Sequence, residues 1–468
     1  MNPMRKHFGA VDVLLNITLV VMFLTLSSCS SDNDEIIVDK PPVVTDETPT
    51  QYGTPFDAVP DAPDAVIYQV NMRCFSESSN FKGVVNRLDS IKALGVNVIY
   101  LMPIYPVGLI NSVNSPYCVK DYKGISSEFG TLTDLRSLID GAHSRGMAVI
   151  LDWVANHTSW DHSWMSNPSW YKKDANGNIV SPNGWNDVAQ LNFQNAEMRA
   201  KMIDAMKYWV YTANCDGFRC DYSDGPPADF WKQAIDTLRK IDTHKLLMLA
   251  EGSRNENFSV GFDLNFGFKF YEQLKYIYQS NITATSFASV DATEYTGAGE
   301  SNRVVRYVTN HDVNSSDGTP IKLFGGLKGS MVAFITASYY NGVPMIYNGQ
   351  ENGNASQMMF PFTATNIDWT YNHDVVSEYK KVIAFRNASA AIRRGAIQPY
   401  HSTDVCAFTK TLNNETVLVI ANVRNTTINY SVASGLSGEW ENVFTGASTT
   451  LNNSLSLAPY TYYVLKKK

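Results

Sequence analysis

The chain is short of the residues that carry several common chemistries. Its 468 residues include six cysteines. The five beyond Cys29, namely Cys74, Cys118, Cys215, Cys220 and Cys406, form no CxxC pair and no pairing with histidine. That odd set excludes a zinc ribbon and a disulfide framework, and reads as small buried hydrophobes. Positive charge is scarce too. Lys and Arg total 38 against 45 Asp and Glu, a net charge of -7, so no basic surface for phosphates is expected and nucleic acid is excluded as a partner. No internal repeat is present, which excludes solenoids and propellers. The one long apolar run, Val11 to Leu26, is short for a membrane span and contains Asp12 and Asn16, both expensive in hydrocarbon. Aromatic residues, by contrast, are plentiful: nine Trp, 25 Tyr and 22 Phe. Most aromatics in any chain are core, but flat rings also serve as platforms in clefts.

The ends are organised differently from the middle. Arg5 and Lys6 precede the apolar run, which closes on Leu26-Ser27-Ser28-Cys29. Small residues before a cysteine resemble a bacterial lipobox, so residues 1–29 read as a lipoprotein signal peptide with Cys29 lipidated. An ordinary signal peptide or a membrane span are the plainer alternatives. A single acyl chain binds a membrane only marginally, whereas bacterial lipoproteins carry several, so a firm membrane anchor is expected. Residues 30–60 are rich in Pro, Thr and Asp and read as a flexible tether. SSDNDE directly after Cys29 resembles acidic export signals. The expected place is the outer membrane or cell surface of a Gram-negative bacterium, with a periplasm-facing anchor as the alternative.

From about Ala65, short apolar runs alternate with amphipathic stretches. The short runs lack polar alternation, as strands covered on both faces do. Eight of them begin near Ile67, Val98, Val149, Gly217, Leu247, Gly261, Val304 and Met345. This spacing predicts an α/β fold: a (β/α)8 TIM barrel over residues 61–395, with a polar, Trp-rich insertion over about 158–192 after strand three. Beyond residue 395 the pattern becomes short alternating strands, predicting a C-terminal antiparallel β-sandwich domain over 396–468.

In a barrel, reactive groups gather at the C-terminal strand ends, and the unusual polar residues fall there. Strand three runs into Asp152, Asn156 and His157. Strand four ends GFRCD, strand five ends at Glu251, and strand seven at Asn310, His311 and Asp312. Arg219 and Asp221 share a face of an extended strand. Asp221, Glu251 and Asp312 are therefore expected to ring one pocket with Arg219, His157 and His311. Converging anions raise at least one pKa. Arg219 is expected to hold Asp221 ionised and leave Glu251 the protonated partner. One ionised and one protonated carboxyl form the pair that a retaining glycosidase uses.

DWVANH, GFRCD, LAEG and TNHD, in that order, resemble the four short motifs of the α-amylase family of glycoside hydrolases. SPYCVKDYKGISSEFGT, DVAQLNF and GVPMIYNGQE are similar to supporting stretches of the same family. The resemblance covers about residues 62–395 and implies roles. Asp221 would be the nucleophile, Glu251 the acid/base, and Asp312 the stabiliser of the distorted, cation-like sugar. Arg219 would orient Asp221, His157 and His311 would bond the sugar, and Tyr117 would stack beneath it. Asp152 and Asn156 look like loop supports, and a loop-capping role explains them about as well. The implied activity is cleavage of α-1,4 bonds of starch or malto-oligosaccharides by double displacement. An α-glucosidase or transglycosylase on the same chemistry, and a non-catalytic glucan-binding surface lipoprotein, are the alternatives.

The chain departs from the family after Asp221, where it reads YSDGPP and places Gly225 at a position that is often histidine. That weakens transfer of the family's calcium site. Asn156 remains a candidate calcium ligand, because calcium takes hard oxygen donors. No cofactor is required for the chemistry. In VTNHDVNSS no basic residue stands where chloride-dependent members of the family hold the anion, so the resemblance implies no chloride requirement. Asp224 matches no role and reads as an ordinary turn acid.

Overall fold

Runs such as VIYL, AVILDW and LMLA pack apolar side chains on both faces, so they settle where a sheet is covered inside and out. The computed structural model describes residues 49–468. In it, eight parallel strands close into a barrel in chain order: β1 (Ile67–Val70), β2 (Val98–Leu101), β3 (Ala148–Trp153), β4 (Gly217–Cys220), β5 (Leu247–Ala250), β6 (Leu264–Phe266), β7 (Arg303–Arg306) and β8 (Val343–Tyr347). Each expected strand start falls within three residues of an observed one. Nearly every residue of these strands is buried, and a fully buried aliphatic side chain contributes about 1.5–3 kcal/mol.

Helices cover the outside. Thr131 starts the helix Leu132–His143 with a capping box to Asp134. Asn195 caps the helix Ala196–Ala213, which stops at Asn214 in the left-handed region, φ 58°. Asp216 then accepts from the Val149 N–H at 2.6 Å and from the His143 ring at 2.8 Å. These bonds fix the entry to β4, the strand that carries Arg219.

The segment after β3 forms a two-stranded antiparallel ribbon, His157–Ser159 with Val188–Gln190, over a nest of aromatic rings. Trp153 and Trp170 are buried in the core, while Trp185 stays 40% exposed. Residues 396–468 form a six-stranded antiparallel sheet and a two-stranded one, Ile428–Ser431 with Ser454–Leu457. Their facing side chains make a core of their own around Leu418, Ile420, Tyr430, Trp440 and Leu465. Arg424 ties these strands to the barrel by donating to the Ile282 carbonyl at 2.8 Å, on the loop after the helix Phe268–Gln279.

One expectation needs correction. The stretch from Gln51 to Val59 does not behave as tether: the Tyr52 hydroxyl donates to Asp140 at 2.7 Å, Phe56 stacks on His143 at 4.4 Å, and Val59 is buried. Aromatic anchors in a Pro-rich segment outweigh its polar composition. Cys29 and residues 30–48 of the tether lie outside the described residues. Among the described residues no helix is long and apolar enough to cross a membrane.

Candidate active site

The cleft at the C-terminal mouth of the barrel encloses about 450 Å³ and is lined by Tyr117, His157, Trp185, Asp221, Tyr222, Glu251, His311, Asp312 and Phe360, among others. All three expected carboxylates reach it. Arg219 lies beneath them, wholly buried. Asp152 stands opposite Arg219 in the β3–β4 register, so both side chains point into the barrel.

Arg219 is the hub. Its Nη1 donates to Asp152 Oδ1 at 2.7 Å and to Asp221 Oδ1 at 2.9 Å, and its Nη2 donates to Glu251 Oε1. Glu251 Oε2 accepts from the Tyr222 backbone N–H at 2.8 Å. Asp221 and Glu251 are thus held within the span of one guanidinium. Burial would drive the guanidinium proton off, but the Asp152 and Glu251 carboxylates reverse that and keep Arg219 charged. Asp221 corrects the expected division of labour. Its carboxyl is raised well above the usual range by burial and by Glu251, and Arg219 opposes this without overcoming it. The guanidinium cannot serve Asp221 alone because Asp152 and Glu251 share it. Asp152 is raised as well, by burial, against the pull of Arg219.

A second chain of bonds runs around the mouth. Gln69 Nε2 lies 2.8 Å from His311 Nδ1, His311 Nε2 lies 2.6 Å from the Tyr117 hydroxyl, and that hydroxyl donates to Asp152 Oδ2 at 3.1 Å. The amide of Gln69 must donate here and Tyr117 spends its only proton on Asp152. These demands select the neutral His311 tautomer with its proton on Nε2. Burial, with Arg219 nearby, lowers His311 to about 4. His157 fits the same pattern: Asn156 Nδ2 donates to its Nδ1 at 3.2 Å, its Nε2 faces the Tyr117 carbonyl at 3.2 Å, and burial lowers it to about 4. Both imidazoles are neutral at neutral pH. Tyr117 packs flat against His311, with ring centroids 5.4 Å apart. The Asp312 side chain is 59% exposed on the rim, its Oδ1 3.3 Å from His311 Nε2.

Several residues in or beneath the cleft were not expected from the sequence. Gln69 and Tyr100, whose hydroxyl donates to Asp152 at 2.6 Å, were visible as polar interruptions of buried strands. Tyr222 adopts φ 40°, an uncommon conformation for a side chain of that bulk. Trp185 meets both Tyr222 and His157 edge-on, at 5.3 and 5.7 Å. Gly225 leaves space for this packing, since an added Cβ would fall 2.6 Å from the Tyr222 ring and 2.5 Å from Asn156 Oδ1.

A calcium ion fits poorly. Asn156 is fully buried and its Oδ1 has no hydrogen-bond partner, which supplies one hard oxygen. A calcium cage takes six to eight, and among the described residues no three of His, Cys, Asp and Glu converge to hold a metal. No step of the chemistry is routed through a metal.

The profile described as alpha amylase, catalytic domain, matches residues 72–178 and 165–377. The chain belongs to the alpha-amylase family, and is an enzyme of the alpha-amylase glycoside hydrolase type. Alpha-amylase 2 of Dictyoglomus thermophilum is 27% identical over 414 residues, covering 82% of this chain and 70% of that protein. Probable oligo-1,6-glucosidase 2 of Bacillus subtilis is 32% identical over 196 residues, 34% of each chain. Among solved structures, an alpha-amylase from Lactobacillus plantarum superposes with a TM-score of 0.77 at 26% identity, covering 87% of this chain and 99% of that one. An alpha-amylase from Geobacillus thermoleovorans, solved with acarbose, gives 0.74 at 22% identity, covering 87% and 99%. The latter likeness speaks for the fold alone.

Proposed function

We propose that the protein is a retaining α-glucan hydrolase that cleaves α-1,4 bonds of starch or malto-oligosaccharides. The observation that carries this reading is the shared guanidinium, which holds Asp221 and Glu251 side by side in a cleft lined also by the rings of Tyr117, Trp185, Tyr222 and Phe360. Asp221, ionised, attacks the anomeric carbon while Glu251 protonates the departing glycosidic oxygen, leaving a glycosyl-enzyme. Glu251, now a carboxylate, takes a proton from water, which attacks the same carbon and frees Asp221. The reaction therefore requires that the proton which burial and Glu251 favour on Asp221 in the free protein pass to Glu251, its neighbour on the shared guanidinium, before the attack. Asp312 bonds sugar hydroxyls and favours the distorted ring. His157 and His311, both neutral, bond the sugar at the point of cleavage when it takes over their Nε2 contacts to Tyr117, and Tyr117 offers its ring beneath.

The relationship to an oligo-1,6-glucosidase over 196 residues supports a second reading, an α-glucosidase or transglycosylase using the same carboxyls. Incubation of the purified protein with maltoheptaose, products resolved over time, separates them. Mixed short oligosaccharides indicate endo-hydrolysis, glucose alone indicates exo-action, and longer chains indicate transfer. Asp221→Asn should lose at least about 10⁴-fold in kcat. No turnover of any α-glucan by well-folded protein would refute both readings and leave a glucan-binding protein. We further propose, from Leu26–Cys29 in the sequence, that the enzyme is lipid-anchored at Cys29 in a Gram-negative outer membrane.

A further inference from the structure

YSDGPP, the segment directly after Asp221, contains an acid that does not line the cleft. Asp224 faces the loop that leaves Glu251. Its Oδ2 accepts from the Ser253 backbone N–H at 2.8 Å and from the Ser253 hydroxyl at 3.1 Å. Its Oδ1 accepts from the Arg254 N–H and from Asn257 Nδ2, both at 3.3 Å, and Arg254 Nε stands 3.3 Å away. Two bonds beside it link the same two turns in opposite directions. Arg254 Nη2 donates to the Ser223 carbonyl at 2.5 Å, and the Ser223 N–H donates to the Glu251 carbonyl at 2.9 Å. Between them Gly252 allows the close approach, because an added Cβ would fall 2.3 Å from Asp224 Oδ1 and 2.3 Å from Ser223 Oγ. The turn after β4 and the turn after β5 are thereby joined into one unit, with Asp221 at the head of one and Glu251 at the head of the other.

An ordinary turn acid would bond its own turn. Asp224 sends every bond named here to a segment some thirty residues away in sequence, directly behind a carboxyl of the cleft. We propose that Asp224 is a positioning residue that sets Glu251 relative to Asp221, so that the acid's proton meets the departing oxygen while the nucleophile attacks. The inference rests on the roles given to Asp221 and Glu251 above. The chain thereby uses the turn after its nucleophile to fix its own catalytic pair.

Two substrates separate this role from general support of the fold. Cleavage of maltoheptaose expels a sugar alkoxide and needs the proton of Glu251. Cleavage of α-maltosyl fluoride expels fluoride, which leaves with little help from an acid. For both, kcat/KM reports the steps up to the glycosyl-enzyme. Displacing a reacting group by about 1 Å costs about 10²-fold. Asp224→Ala should therefore lower kcat/KM on maltoheptaose by about that factor and change it little on the fluoride. Asp224→Asn, which keeps the shape and one acceptor oxygen, should recover part of the loss. An equal fall on both substrates, or none on maltoheptaose, overturns the inference. A wild-type enzyme inert toward both substrates overturns the reading of Asp221 and Glu251 and the inference with it.

Discussion

Glu351 ends the stretch GVPMIYNGQE after β8, and only 5% of the residue is exposed. The Tyr68 hydroxyl donates to its Oε1 at 2.5 Å, while its Oε2 has no partner. Burial raises this carboxyl to about 7 from an ordinary 4.5, with Tyr68 opposing. The folded protein therefore keeps a proton that the unfolded chain releases across that interval, and stability falls as pH rises from about 4.5 to about 7. At 1.36 kcal/mol per unit, a shift of this size amounts to about 3 kcal/mol, all of it felt above pH 7. Glu351→Gln keeps an acceptor oxygen for Tyr68 and removes the titration. With an unfolding entropy of about 2.1 cal/mol/K per residue, a folded unit of this length changes Tm by roughly 1 °C per kcal/mol. The variant should thus gain about 3 °C on the wild type between pH 4.5 and pH 8. Thermal unfolding followed by circular dichroism at half-unit pH steps measures that difference. Parallel Tm–pH curves for the two proteins would refute the reasoning, because they would mean that Glu351 titrates normally.

Two further outcomes are expected. Arg219→Lys keeps one charge but cannot bond Asp152, Asp221 and Glu251 together, so kcat on maltoheptaose should fall by about 10²-fold or more. Steady-state kinetics beside a Tm measurement check this, and retention of half the activity would sink the hub assignment. Cys29→Ser should move the protein from the membrane pellet to the soluble fraction of a Gram-negative host; an unchanged pellet would rule out the lipid anchor.

Much of this architecture was legible because two signals coincide along the chain. Apolar runs such as AVILDW marked the barrel strands, and the polar residues that interrupt their ends marked the mouth. Arg219 and Asp221 share a face by strand alternation alone, which needs no knowledge of the fold. The sharing of Arg219 among three carboxylates was not legible. It depends on Asp152 pairing across from Arg219 in the β3–β4 register and on Glu251 lying just past the end of β5. Barrel closure sets both. Trp185 and Phe360 were hidden for a related reason: each sits on a loop whose path over the cleft is decided by packing far away in sequence. Asp224 looked ordinary because its partners lie on another turn. Phe56 and Tyr52 were misassigned because composition is averaged over a window, whereas two aromatic anchors suffice to dock a short segment.

The charge balance of the mouth connects these points to the chemistry. Arg219 brings one positive charge into a buried space, and Asp152, Asp221 and Glu251 offer three negative ones. His157 and His311, both lowered to about 4, add nothing at neutral pH. Burial pushes Asp152 and Asp221 upward, and Glu251 adds to the rise of Asp221, an arrangement that would be wasteful if the site only bound neutral sugars. In the proposed reaction the sugar ring gains positive charge as the glycosidic bond stretches. A low-dielectric mouth with surplus negative charge favours that state over the neutral ground state, and fixed groups need no reorganisation to do so. The surplus must stay modest, because a fully buried unpaired carboxylate would be protonated and lost as a nucleophile. One guanidinium shared by three carboxylates opposes that protonation without overcoming it at Asp221, so the proton must leave Asp221 before it attacks. For this reason Arg219→Lys should cost more in kcat than in KM.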